Sequence, residues 1–192
     1  MPNQLPPADL KTCPQIVQLC GNHELTRILA LTAASPEAPA WPAAAWQSFL
    51  AAGDEATNEL QRLLLATVEV DLSLSGIVAV TYFEETAELE LLLVHPAFRR
   101  KGVGRALSRA WLQRARRAQA REAVLEVRES NGAAQTLYAE LGFTLDGRRP
   151  NYYQHPDEDA LLMRRLFAED PISERPSVDL KLNAPAVAAE GT

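Results

Sequence analysis

Val94-His95-Pro96-Ala97-Phe98-Arg99-Arg100-Lys101-Gly102-Val103-Gly104-Arg105-Ala106-Leu107 joins the end of an apolar strand to the start of a helix through a basic turn. A helix start carries backbone N–H groups without partners inside the helix, together with the positive end of the helix dipole. Glycines at 102 and 104 remove the side chains that would keep a phosphate away from those N–H groups. Arg99, Arg100, Lys101 and Arg105 add positive charge around the same spot. The turn reads as a seat for a pyrophosphate; a tight strand-to-helix turn without a ligand is the competing reading. Two other phosphate-binding loops are excluded more firmly. There is no Gly-Lys-Ser/Thr run, and the third glycine of a dinucleotide fingerprint counted from Gly102 is Leu107.

Outward from this turn the periodicities predict an ordered series of elements. Upstream, Gln15 to Cys20 can form a short strand, and Asn22 is placed to cap a helix from His23 to about Ala33. Pro42 opens a second helix, stopped by Gly53. Leu60 to Val70 and Ile77 to Phe83 read as a hairpin around 71–76, and Ala87 to Val94 as a further strand. Downstream, Val103, Ala106, Leu107, Ala110, Trp111, Leu112 and Ala118 form the apolar stripe of a helix over 103–120. A strand at Ala123 to Val127, a helix from Asn131 to Leu141 ended by Gly142, and strands at Phe143 to Arg148 and Ala160 to Phe167 follow. The expected fold is therefore α/β (α+β): a mixed seven-stranded sheet flanked by about four helices, in the order β α α β β β α β α β β. One domain over 15–168 is expected. Residues 1–14 read as a flexible segment, and the Pro-, Ala- and Ser-rich 169–192 as a disordered tail.

A chain of 192 residues with 47% hydrophobic and 23% charged residues fits one soluble domain. No run reaches the roughly 18 apolar residues of a membrane span, and the N-terminus lacks a secretory pattern, so a cytoplasmic protein without a membrane partner is expected. Cys13, Cys20 and His23 lack a fourth ligand nearby, and no metal site is expected. The net charge of −6 conceals an asymmetry: between Arg99 and Arg128, ten Arg and Lys face two Glu, a local +8. A positive segment in an acidic chain suits a small polyanion better than a nucleic-acid backbone. Arg109, Arg114, Arg116, Arg117 and Arg121 read as the solvated face of the helix.

The order of motifs after the turn narrows the choice. Leu-Glu-Val-Arg at 125–128 is followed by Ser-Asn at 130–131, then Leu-Tyr at 137–138 and Leu-Gly-Phe at 141–143. Arg-Arg-Pro-Asn-Tyr-Tyr at 148–153 and Glu-Asp-Ala-Leu-Leu-Met at 158–163 complete the series. With Arg99, Gly102 and Gly104 filling an Arg/Gln-x-x-Gly-x-Gly/Ala signature, it resembles the GNAT superfamily of N-acetyltransferases. Within that superfamily it is more similar to the RimI type, the ribosomal-protein-alanine N-acetyltransferases. The likeness is dense from about Leu92 to Met163 and thin before it.

The resemblance implies acetyl-CoA as co-substrate and the N-terminal alanine of the eighteenth small-subunit ribosomal protein as acceptor. Its pantetheine arm would pair with the backbone of Leu92, Leu93 and Val94. Its phosphates would meet the run Arg99, Arg100, Lys101, Gly102, Val103, Gly104 and Arg105, and Asn131 would also contact the cofactor. Alternatives are a lysine or small-amine acetyltransferase and a non-catalytic acyl-CoA-binding module, which would need no catalytic pair.

Acetyl transfer from a thioester requires an amine without its proton, a stabilised oxyanion and a protonated leaving thiolate. Alternation places Glu126 on the strand face opposite Leu125 and Val127, where a carboxylate can take the proton. Tyr138 is the candidate acid by resemblance, since a mid-helix tyrosine otherwise reads as packing. Asn131 can also cap the following helix. His95 reads as part of the turn and His155 as a loop residue near the substrate opening. Arg148, Arg149, Tyr152 and Tyr153 match the substrate side of the family. Trp41-Pro42 and Trp46 resemble its acceptor-groove segment only loosely.

Overall fold

The computed structural model describes residues 15–36, 38–39, 41–51, 60–154 and 156–167. Cys13, Gly53, His155 and the segments 1–14 and 169–192 lie outside the described residues. Seven strands form one mixed sheet: β1 (Gln15–Gln18), β2 (Leu60–Val68), β3 (Leu74–Phe83), β4 (Thr86–Val94), β5 (Glu122–Arg128), β6 (Thr144–Tyr153) and β7 (Glu158–Leu166). Their spatial order is β1-β2-β3-β4-β5-β7-β6. The helices are α1 (Leu25–Ala33), α2 (Ala43–Ala51), α3 (Val103–Arg117) and α4 (Gly132–Glu140). This is the expected element order. All neighbouring strands are antiparallel except β4 and β5, which are parallel and joined through α3, as a parallel pair requires.

Each face of the sheet has its own core. One gathers Val103, Leu107, Trp111 and Tyr138 of α3 and α4 against Val78, Val80, Leu89 and Leu125. The other gathers Ile28, Leu31, Trp46 and Leu50 of α1 and α2 against Ile77, Ala79, Leu91 and Leu93. β4 contributes to both because its register slips by one residue: Val80 pairs with Leu89, but Ala79 pairs with Leu91. Glu90 is the extra residue of this bulge, and past it the alternation of side chains is reversed. Ala87 and Leu89 therefore face α3, whereas Leu91 and Leu93 face α1 and α2. On β3, Gly76 lets α3 lie close: a Cβ there would stand 2.8 Å from Val103 Cγ1 and 3.0 Å from Leu107 Cδ1.

Some boundaries differ from those read in the sequence. Asn22 does not cap α1. Residues Asn22–Glu24 form a 3-10 turn headed by Gly21 at φ 80°, whose N–H donates to the Leu50 carbonyl, so a contact with α2 sets the start of this region. α3 ends at Arg117, ahead of Gln119 at φ 63°. β2 stops at Val68, and Asp71 Oδ1 accepts from the Ser73 N–H and hydroxyl in the hairpin turn. β6 runs to Tyr153 rather than stopping at Arg148. Pro150 is tolerated because the β6–β7 ladder skips from the pair Arg149–Ala160 to the pair Tyr153–Glu158. Among the described residues no helix is long and apolar enough to cross a membrane.

Candidate active site

The ladder between β4 and β5 covers only the pairs from Thr86–Glu122 to Leu89–Leu125. Beyond that point Leu91 to Val94 stay paired with β3, and Glu126 to Arg128 stay paired with β7. Each strand thus holds to its outer neighbour, and the two part from each other where the Glu90 bulge lies. The β5-facing edge of Leu92, Leu93 and Val94 is left without a paired strand, which an extended ligand can occupy by adding hydrogen bonds as a strand would.

The basic turn closes one end of this gap. His95 caps the 3-10 turn Pro96–Phe98, its Nδ1 accepting from the Ala97 N–H at 3.2 Å. Arg99 Nε donates to the Val94 carbonyl at 3.2 Å. Arg100 adopts φ 59° and Gly102, the cap position of α3, φ 88°. No side chain caps α3, so its first N–H groups are left without a capping partner, as an anion seat would need. The two glycines serve different ends. Gly102 is required by its left-handed backbone. At Gly104 a Cβ would meet Val94, Leu137 and Leu92 at 3.5–3.8 Å, ordinary contact distances, so the protein's own packing does not demand a glycine there. A Cβ at this position would instead stand in the mouth of the gap, between β4 and α4. Buried Val103 anchors α3 to the sheet. Lys101 Nζ lies 5.3 Å from the Phe98 ring centroid, and Arg105 pairs with Glu140 of α4. The unpaired edge, the uncapped helix start and the space kept at Gly104 fit the pantetheine and pyrophosphate of acetyl-CoA.

Glu126 is the first residue of β5 past its last pair with β4, so it stands at the lip of the gap on the α1–α2 side. Its carboxylate is 20% exposed and pairs with Arg149 at 2.8 Å. Tyr152 donates a hydrogen bond to it, which raises the phenol's pKa. Glu88 of β4 shares this face; burial, then Glu90 and Glu126, push its carboxyl upward. Tyr138 of α4 belongs to the opposite core, at 6% exposure, beside Phe143. Burial, then the nearby Tyr153, push its pKa well above the ordinary tyrosine value, so the phenol keeps its proton. Glu126 and Tyr138 therefore lie on opposite faces of the sheet, with the gap between β4 and β5 beside them. Asn131 caps α4 by accepting from the Ala134 N–H at 3.1 Å.

The far wall is the arch of β6 between Arg149 and Tyr153. Asp159 holds it, accepting from the Asn151 N–H at 2.9 Å and from Arg148 at 3.0 Å, while Arg148 also pairs with Glu129. Arg128 pairs with Glu158 at 3.1 Å and lies 4.2 Å from the Tyr153 ring centroid. Trp46 is fully buried in the α1–α2 core, its ring tilted by 41° against that of Trp41 at 4.7 Å. Sequence reasoning missed Glu88 and the contact of Arg149 with Glu126. The signal for the first was two glutamates interrupting an apolar strand; the second joins residues 23 positions apart and had none. Among the described residues no group of three or more His, Cys, Asp or Glu is arranged to hold a metal.

Comparison with known proteins agrees with this geometry. The [ribosomal protein bS18]-alanine N-acetyltransferase of Escherichia coli is 33% identical over 110 residues, 56% of this chain and 74% of that protein. N-alpha-acetyltransferase RimI of Mycobacterium tuberculosis is 41% identical over 78 residues, 41% of this chain and 48% of that protein. A Bacillus subtilis relative is 34% identical over 96 residues, and the match spans 64% of it, so several relatives are covered over less than two thirds of their length. The crystal structure of the ribosomal-protein-S18-alanine N-acetyltransferase from Escherichia coli superposes with a TM-score of 0.70 at 24% identity, covering 83% of this chain and 99% of that one. This last likeness concerns the fold. Residues 17–143 match the acetyltransferase (GNAT) family, and the chain belongs to that family.

Proposed function

We propose that this chain is an acetyl-CoA-dependent N-acetyltransferase acting in the cytoplasm on the N-terminal α-amine of a protein, with the N-terminal alanine of a small-subunit ribosomal protein as acceptor. The observation that carries the reading is the β4–β5 gap, with the glycine turn at one end and Glu126 at its lip. The relatives named for alanine acetylation of bS18 support the choice of acceptor. Bound acetyl-CoA supplies an activated acyl group with a thiolate leaving group. Leu92, Leu93 and Val94 align it through their backbone, and Arg99 to Arg105 together with Asn131 hold its phosphate end. Glu126 accepts a proton from the acceptor ammonium. The amine nitrogen then bonds to the acyl carbon as the carbon–sulfur bond breaks. Tyr138 gives its proton to the sulfur and is reprotonated as the nitrogen sheds its second proton, leaving a neutral amide, a free thiol and the first proton on Glu126. Tyr138 is suited to this because its site keeps the phenol protonated.

The choice of an α-amine follows from proton chemistry. An α-amino group with a pKa near 7.7–8.0 is roughly one tenth free base at pH 7, and a lysine near 10.4 only about 0.04%. One carboxylate manages the first task more readily than the second. A peptide starting with alanine should therefore be acetylated at least tenfold faster at pH 7 than its N-terminally blocked, lysine-containing version or a polyamine. Equal or faster modification of the blocked peptide would overturn the α-amine assignment.

A further inference from the structure

The site binds its acceptor as a cation yet uses it as a free amine, and one residue sits where these demands meet. Near pH 7 about nine tenths of an α-amine arrives as ammonium. Glu126, Glu88 and Glu90 attract that charge. Arg149 opposes it, with Nη1 2.8 Å from Glu126 Oε1 and the guanidinium 5.5 Å from the Tyr152 ring centroid. An ammonium hydrogen-bonded to the same carboxylate at roughly 3 Å lies within about 6 Å of that guanidinium. A fixed positive charge at this range disfavours the ammonium relative to the free amine.

We propose that Arg149, resting on the acceptor reading above, is a positioning residue that sets the protonation of the bound amine: it gives up affinity for the ammonium in exchange for easier release of its proton. The surroundings are consistent with one cation balancing several anions. From β4, Glu88 and Glu90 face the site, and the Glu88 carboxyl is raised by burial and by both neighbouring glutamates and lowered by Arg149. From β6 come Tyr152 and Tyr153. Arg128 of β5 is engaged with Glu158 of β7 and with the Tyr153 ring, so it is not the balancing charge. Arg149 is the last residue of β6 paired with β7 before the ladder breaks, so its backbone is held by the Ala160 pair while its guanidinium faces Glu126 and acts on Glu88.

The test uses the full chain saturated with coenzyme A and an alanine-starting peptide. Calorimetry at pH 6.5 reads the ammonium, and turnover from pH 6.5 to 9 reads its deprotonation. Arg149→Gln should bind the peptide at least about threefold more tightly and turn over at least about fivefold more slowly at pH 7, recovering towards pH 9. Arg149→Lys should restore wild-type binding and the wild-type profile. Glu88→Gln, whose charge has the opposite sign, should weaken binding. A merely structural arginine would lower binding and rate together at every pH. Unchanged or weaker binding by Arg149→Gln, in an enzyme whose wild type acetylates the peptide, overturns the role of Arg149 and leaves the acetyltransferase reading intact. Failure of the wild type and all variants to bind the peptide overturns both.

Discussion

At Tyr138 packing and the proposed acid role make compatible demands on one side chain. The ring packs with Phe143 in the α3–α4 core, while burial keeps the hydroxyl protonated. Tyr138→Phe keeps the ring and deletes the proton, so turnover should fall by about 10²-fold or more while Tm stays close to wild type. Turnover within a factor of two would reduce Tyr138 to packing. Asn131 is double-edged in the same way. Loss of its cap in Asn131→Ala should cost about 1 kcal/mol in denaturant unfolding, whatever its part in binding the cofactor. The cap was legible from one residue and its spacing to the helix. The ion pair of Glu126 with Arg149 was not, because it depends on where β6 folds back over β5.

At the scale of an element, α3 carries two close approaches that call for different experiments. Gly76→Ala would press a methyl into Val103 Cγ1, Leu107 Cδ1 and the Leu93 carbonyl, at 2.8–3.1 Å. Such overpacking typically costs about 1–3 kcal/mol, a fall in Tm of roughly 3–10 °C for a chain of this size. Gly104 has room, so Gly104→Asp should leave the fold intact by circular dichroism. Its carboxylate repels the phosphates, and acetyl-CoA binding should weaken at least tenfold, about 1.4 kcal/mol, in a calorimetric titration. Sequence periodicity revealed both ends of this helix and its apolar stripe to within a few residues. It could not reveal why position 76 is glycine, since the clash comes from an element 27 residues away. Nor did it reveal the bulge at Glu90: alternation counted straight along β4 puts Leu89 and Leu91 on one face, whereas the structure puts them on two. Past β5 the sequence reading stopped a strand at Arg148, whereas β6 runs on through Pro150 to Tyr153, because an edge strand with a skipped ladder position can hold a proline that a central strand cannot.

For the whole molecule, the buried phenols set the behaviour in alkali. Burial pushes Tyr82 from 10 up to about 12, with Arg114 opposing, and Tyr138 moves in the same direction. Below pH 10 both are protonated in the folded and unfolded chains, and the stability linked to them is fully present. As pH rises from 10 towards 12 the unfolded chain releases these protons and the folded chain holds them, so stability falls. Tyr82 alone accounts for up to about 3 kcal/mol of that loss. Tyr82→Phe, which removes a buried hydroxyl without a hydrogen-bond partner, should be near neutral at pH 7 and should flatten the decline above pH 10 in urea unfolding. The two-core arrangement has a further consequence. Under the proposed function the sheet separates a donor side, under α3 and α4, from an acceptor side, under α1 and α2, and among the described residues the two meet where β4 and β5 part. Grafting the solvent-facing residues of α1 and α2 from a relative, with Ile28, Leu31, Trp46 and Leu50 kept, should leave acetyl-CoA affinity within about twofold while changing which amine is chosen. A lineage built this way can change customers without retooling the supply side, and the outer surface of those two helices is where its members should diverge first.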